Sequence, residues 1–260
     1  MQLLFLVLVA LIRCKSGIPV SGGWELNGHL ALEEEDQCTV DRRANLTYTE
    51  FIHQYAFSRP VILQRFTNNS LFQDLCSKEK LLAEFGGFRI RLSTANTYSY
   101  QKVDLSFQEY VEQLLQPQDP NSLGNDTLYF FGDNNFTEWG RLFQYYSPPP
   151  FHLLGTTAAY SFGIAGAGSG VPFHWHGPGY SEVIFGRKKR GLISIPTKQP
   201  WPGYGTRTQH CQSLNGPYSV PSRLVLYFPD RWWHATLNLD TSVFISTFLG
   251  LGQQDPPGQG

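Results

Sequence analysis

The sequence predicts an α+β chain in which a helical N-terminal part leads into a double-sheet jelly roll. Two observations carry that expectation. Aromatic residues make up 15% of the 260 residues, and 25 Gly and 17 Pro punctuate the chain, a mixture that favours short strands and tight turns. The readable helix starts all fall before residue 110, and most of the strand-like stretches follow them at short spacing, the pattern of an α+β domain whose strands close into two sheets. A chain of this length can bury one core. Only 16% of the residues are charged and the formal net charge is −1. That excludes long charged disordered tails and leaves no electrostatic footprint for nucleic acid.

The elements follow in order. Leu3–Ile12 is an unbroken apolar run, about half the length of a membrane-spanning helix. It reads as the apolar region of a signal peptide over residues 1–16, with Cys14 and Ser16 at the cleavage positions; the alternative is a buried N-terminal strand or short helix. No second long apolar run follows, so no membrane span is expected. Residues 17–37, Gly-rich and then acidic at Glu33–Asp36, read as a flexible leader. Thr47–Glu50 is a capping box, with Leu46 and Phe51 placed as a hydrophobic staple. Ser70–Gln73 reads as a second box. Ser77 caps a helix that buries Leu81, Leu82 and Phe85 and stops at Gly86-Gly87. Ser106–Glu109 opens a fourth, with Phe107, Tyr110, Val111, Leu114 and Leu115 on one buried face. Strand-like stretches are Pro60–Phe66, Phe88–Thr94, Leu128–Phe131, Tyr160–Ile164, Glu182–Phe185, Leu192–Ile195, Leu224–Phe228 and Ser242–Leu249. Residues 251–260 read as a flexible tail.

Further features agree with the secretory route. N-x-S/T acceptors for glycosylation occur at Asn45, Asn68, Asn125 and Asn135. Without Cys14, the cysteines are Cys38, Cys76 and Cys211. In an oxidising lumen a Cys38–Cys76 bridge would leave Cys211 odd; three buried free thiols are the alternative, and the sequence does not decide. The C-terminus carries no KDEL-type signal, so retention in the endoplasmic reticulum would rest on a partner.

Three histidines stand out. Phe173-His174-Trp175-His176-Gly177 sets two imidazoles at i and i+2. On a strand they share a face, about 6–7 Å apart along it. A third, His234, follows Trp232-Trp233. Two ligands from one segment and a third from a distant strand make a facial triad, although the usual iron triad has a carboxylate where His176 stands. A lone His-x-His pair more often binds no metal; the flanking tryptophans favour a walled apolar pocket.

The segments Phe173–Lys188 and Val225–Gly250, with the lead-in Thr49–Ile52 and Arg59–Leu63, resemble the JmjC family over residues 38–250. The resemblance implies a cupin-type jelly roll, Fe(II) and 2-oxoglutarate as cofactors, and protein hydroxylation or demethylation as chemistry. It places His174 and His234 on the first and third iron ligands. His176 falls on the position of the family's acidic ligand, and Lys188 on the residue that pairs the distal carboxylate of 2-oxoglutarate. Two positions depart from the pattern: Val171 stands where hydroxylases carry a hydroxyl residue, and Gly179 where they carry Asn. The stretch 189–223 also departs, with few buried-strand signals, as an alternative exon or shifted reading frame would make it.

These departures favour a non-catalytic or weakly catalytic regulatory protein of the endoplasmic reticulum lumen that acts through protein partners. The alternatives are an Fe(II)/2-oxoglutarate protein hydroxylase with a three-histidine centre, and a structural metal-binding cupin. A homo-oligomer is compatible with the sequence.

Overall fold

The computed structural model describes residues 21–27, 39–94, 102–118, 127–132, 134–194, 207–214 and 224–251. The signal peptide, Cys38, Asn125 and the tail beyond residue 251 lie outside them. The helical part interleaves β1 (Asp41–Arg43), α1 (Tyr48–Gln54), β2 (Val61–Gln64), α2 (Ser70–Leu75), α3 (Lys78–Phe85), β3 (Arg89–Thr94), β4 (Lys102–Ser106), α4 (Phe107–Glu109), β5 (Leu128–Phe131) and α5 (Phe136–Phe143). The jelly roll follows as β6 (Thr156–Ala165), β7 (Gly170–His174), β8 (Gly179–Phe185), β9 (Arg187–Ser194), β10 (Arg207–Leu214), β11 (Leu224–Phe228), β12 (Trp232–Asn238) and β13 (Ser242–Leu251).

Among the described residues the strands form two sheets. The larger runs β1-β2-β11-β8-β13-β6-β5-β3-β4 and the smaller β10-β9-β12-β7. The α+β jelly roll expected from the sequence is the fold observed. The larger sheet is covered on both faces. Val243 and Ile245 face the helical layer, in one core with Phe72, Phe85, Tyr110 and Trp139. Phe244, Ser246 and Phe248 face a cavity between the two sheets. Double coverage explains why apolar residues occur on both faces of β13.

The capping boxes at Thr47 and Ser106 form as expected, and Leu46 and Phe51 share a buried cluster. The box read at Ser70 does not form. Asn69 precedes α2 without a side-chain cap, because its Oδ1 accepts from the Ser147 amide instead, while its Nδ2 donates to the Ser147 carbonyl and the buried Glu182 carboxylate. The face predicted for the fourth helix also breaks. After Glu109 the helix widens to π geometry over Tyr110–Leu114, and the wider turn carries Leu114 out to 40% exposure while Leu115 stays buried. Helix α5 was not expected. Its cap is Asn135, whose Oδ1 accepts from the Thr137 amide.

The leader is the largest departure. Far from flexible, residues 21–27 are docked. Trp24 is buried at 3% exposure, and its indole N–H donates to the Cys76 carbonyl. The Gly22 carbonyl accepts from the Lys78 amide at the start of α3. Gly22 has φ +62°, and a Cβ there would strike the Phe185 ring. The tethering force is burial of one large indole.

Trp139 stacks on Phe85 with centroids 4.4 Å apart and meets Phe107, Phe130 and Phe162 within 5.6 Å. Trp139→Ala is expected to cost about 3–5 kcal/mol in urea unfolding. A loss below about 1 kcal/mol would remove α5 from the core.

Candidate metal centre

Strands β7 and β12 are antiparallel neighbours, and their register sets His174 directly opposite His234. His176 lies just past β7, where its carbonyl accepts from the Arg231 amide. The ring centroids of His174 and His234 are 4.3 Å apart, those of His176 and His234 4.5 Å, and those of His174 and His176 5.5 Å. One ring nitrogen from each lies within 4.8 Å of the others. The three histidines singled out in the sequence therefore converge.

Their chemistry is set by what the other nitrogen does. The Nδ1 atoms of His174, His176 and His234 lie 2.9, 2.8 and 2.9 Å from the carbonyls of Pro172, Gly177 and Trp232. A carbonyl can only accept, so each Nδ1 carries the hydrogen and each Nε2 keeps its lone pair. Orienting a ligand imidazole through its second nitrogen is the usual outer-shell device of metal sites. Burial, the largest cause, pushes all three pKa values down, and that of His234 falls to about 3. Three neutral, tautomer-locked imidazoles facing one point fit a divalent metal ion.

Behind them lies a cavity of about 90 Å³. One water needs about 10–15 Å³, so a small organic molecule fits. Phe131, Phe228, Phe244 and Phe248 wall it, and among the described residues no Asp or Glu lines it. Lys188 and Arg190 both enter from β9 and both are buried. The Lys188 ammonium sits 3.1 Å from the centroid of the Phe244 ring. Burial, then the neighbouring Arg190, pull its pKa well below the usual lysine range. Arg190 donates through one Nη to Ser181 Oγ at 2.7 Å, while Nη1 is buried without a partner. Burial lowers its pKa to about 10, which leaves it charged at neutral pH. Two buried basic side chains, one with an unmet donor, and no carboxylate among the described lining residues fit a small anion.

The arguments for lost chemistry do not survive this geometry. The described start of the stretch after Lys188 lies in a regular strand, β9, paired with β12 from Ser194 to Lys188 and with β10 along its full length. Backbone pairing does not depend on which side chains are attached. The hydroxyl missing at Val171 is offered by Thr236, its cross-strand partner, which lines the same cavity. Gly179 is a packing position: a Cβ there would lie 2.7 Å from the Thr247 carbonyl and 3.0 Å from the Phe228 ring. The non-catalytic reading is therefore corrected. The three histidines, which could hold a metal ion, converge beside a walled cavity that Lys188 and Arg190 also line.

Sequence reasoning missed Ser181, Arg190, Thr236 and Asn238 at this site. The period-2 alternation His234, Thr236, Asn238 on β12 and Lys188, Arg190 on β9 was the available signal. Asn238 donates to Ser169 and leaves Oδ1 buried without a partner. Of the other predicted residues, Asn45, Asn68 and Asn135 are exposed. Cys76 is a buried free thiol, and its expected partner Cys38 lies outside the described residues. No described helix is long and apolar enough to cross a membrane.

Depressed histidine pKa values make a stability prediction. The unfolded chain protonates these rings near pH 6.5 while the folded chain holds His234 neutral to about pH 3. Stability of the metal-free protein is thus full above pH 6.5 and falls as the pH drops below it. The urea midpoint should decline between pH 7 and about pH 5, before most carboxylates titrate. A flat midpoint across that window would contradict the locked neutral rings.

No family model matches the chain. It is 66% identical over 245 residues to JmjC domain-containing protein 8 of Homo sapiens, covering 90% of this chain and 92% of that protein. The Mus musculus protein of the same name is 62% identical over 262 residues, covering 94% of each. Among solved structures, the ribosomal oxygenase YcfD of Escherichia coli with cobalt and succinic acid matches at a TM-score of 0.44 and 16% identity, over 86% of this chain and 53% of that one. With that identity spread over nearly the whole length of both chains, the protein belongs to the JmjC domain-containing protein 8 family.

Proposed function

We propose that the chain is an Fe(II)- and 2-oxoglutarate-dependent oxygenase that hydroxylates protein substrates in the secretory-pathway lumen. The observation that carries this reading is the placement of three Nε2 lone pairs beside a cavity that also holds two buried basic side chains, Lys188 and Arg190. When bound, iron(II) and 2-oxoglutarate would supply, with molecular oxygen as the oxidant, the chemistry that turns a substrate C–H into C–OH, one oxygen atom entering the hydroxyl and the other the succinate that forms with carbon dioxide.

The chain's own residues do the rest. His174, His176 and His234 would hold the metal through Nε2, with each ring fixed by its Nδ1–H bond to a carbonyl. Lys188 and Arg190 would hold the distal carboxylate of the cosubstrate. The phenylalanine walls exclude water, which strengthens each of these charge interactions. Phe173 and Trp175 flank His174 and are 43% and 52% exposed, an apolar approach suited to a polypeptide. The luminal setting is supported by the signal-like N-terminus and by three exposed glycosylation acceptors.

The test is metal analysis and succinate release with protein from a eukaryotic secretory host. Stoichiometric iron and 2-oxoglutarate-dependent succinate release are expected, and both should vanish in His174→Ala. Tightly held zinc with no turnover at any iron concentration would leave a structural cupin. Treatment with a glycosidase should lower the apparent mass; an unchanged mass would end the luminal assignment.

A further inference from the structure

Three segments far apart in sequence meet at one carboxylate. Asp240 sits in the turn between β12 and β13 with its side chain 1% exposed. Arg187 binds it through both carboxylate oxygens, Nε to Oδ2 at 2.7 Å and one Nη to Oδ1 at 2.9 Å. The amide of Asn27, at the end of the docked leader, donates to Oδ1 at 2.9 Å. The same Arg187 nitrogen donates to the Asn27 carbonyl at 3.1 Å. One residue further in, the Thr241 amide donates to the Glu25 carbonyl. The Arg187 carbonyl is also held, by the Leu239 amide and Ser242 Oγ.

Arg187 is the first residue of β9 and the immediate neighbour of Lys188. Its side chain and its carbonyl are both clamped, so the backbone that carries Lys188 has little freedom to shift. The metal ligands do not share this clamp: His174 is set by the pairing of β7, and His234 lies six residues before Asp240. Asp240 is the buried partner of this bidentate pair and Arg187 is half-buried, so without Asp240 the guanidinium is free to turn toward solvent.

We propose that Asp240, held in place by the docked segment Ser21–Asn27, is a positioning residue for Lys188, and that it tunes anion binding at the cationic end of the cavity without contributing to metal binding. The role rests on the oxygenase reading for its ligand, a small dicarboxylate. Trp24 is the anchor that makes the segment dock, and Asp240 and Arg187 join that segment to the strand that carries Lys188.

The experiment uses the full chain from a secretory host, loaded with cobalt(II) and titrated with 2-oxoglutarate or succinate. Asp240→Asn should weaken dicarboxylate binding by about ten- to a hundredfold and leave cobalt affinity unchanged. Trp24→Ala should reproduce that split, although its side chain lies in the helical core, and Trp24→Phe should restore most of the loss. Amide hydrogen exchange supplies a readout free of ligand: Asp240→Asn should speed exchange at residues 187–190 and leave residues 232–234 as in the parent. Equal losses of metal and dicarboxylate affinity would mean general loosening and would overturn the proposal, as would wild-type binding by Asp240→Asn. If the parent chain binds no dicarboxylate, the oxygenase reading fails by itself. The exchange measurement then still decides the positioning role, and unchanged exchange at residues 187–190 would end it.

Discussion

The site depends on one strand being hydrogen-bonded along both edges. β12 lies between β7 and β9, and every polar group of the cavity that belongs to the small sheet is placed by its register with one or the other. Pairing with β7 sets His234 against His174 and, past a bulge, Thr236 against Val171. Pairing with β9 sets Thr236 beside Arg190 and Asn238 beside Lys188. Because side chains alternate strictly along a strand, these facing residues all share the cavity side. A slip of one residue would turn the whole set outward.

The charge pattern of the cavity is a consequence. With His176 beside His174 and His234, three neutral imidazoles face one point, and no carboxylate lines the chamber among the described residues. Lys188 and Arg190 are kept in place there by Phe244 and Ser181. Such an arrangement is costly when empty and favourable when an anion enters. Sequence departures that suggested lost chemistry turn out to be rearrangements: a hydroxyl moved across the ladder to Thr236, and a glycine demanded by Phe228 and the Thr247 carbonyl.

What the sequence made legible was local. Capping boxes at Thr47 and Ser106 need only four residues, and both form. The histidine trio was readable because its residue types are few and its flanks are aromatic. What escaped was tertiary. Arg187-Lys188-Lys189-Arg190 has the look of a solvated run, since lysine and arginine are seldom buried, yet two of the four are inside. The Gly-rich stretch around Trp24 has no periodicity, and only its docking against residues near 78, 187 and 240 gives it a shape. The π turn at Tyr110 was equally hidden, because a regular helix was the simplest reading of its apolar spacing.

The docked leader also orders events in time. A ribosome delivers Trp24 early, but the carboxylate that receives Asn27 appears only after more than 200 further residues. The strand carrying His234 emerges just before it. Contacts of such sequence separation form late and slowly. The helical layer can therefore gather while synthesis continues, whereas the jelly roll stays open until the last strands arrive. The histidine cluster and the N-terminal clasp are then completed together, once the strand carrying His234 and the turn carrying Asp240 have been added.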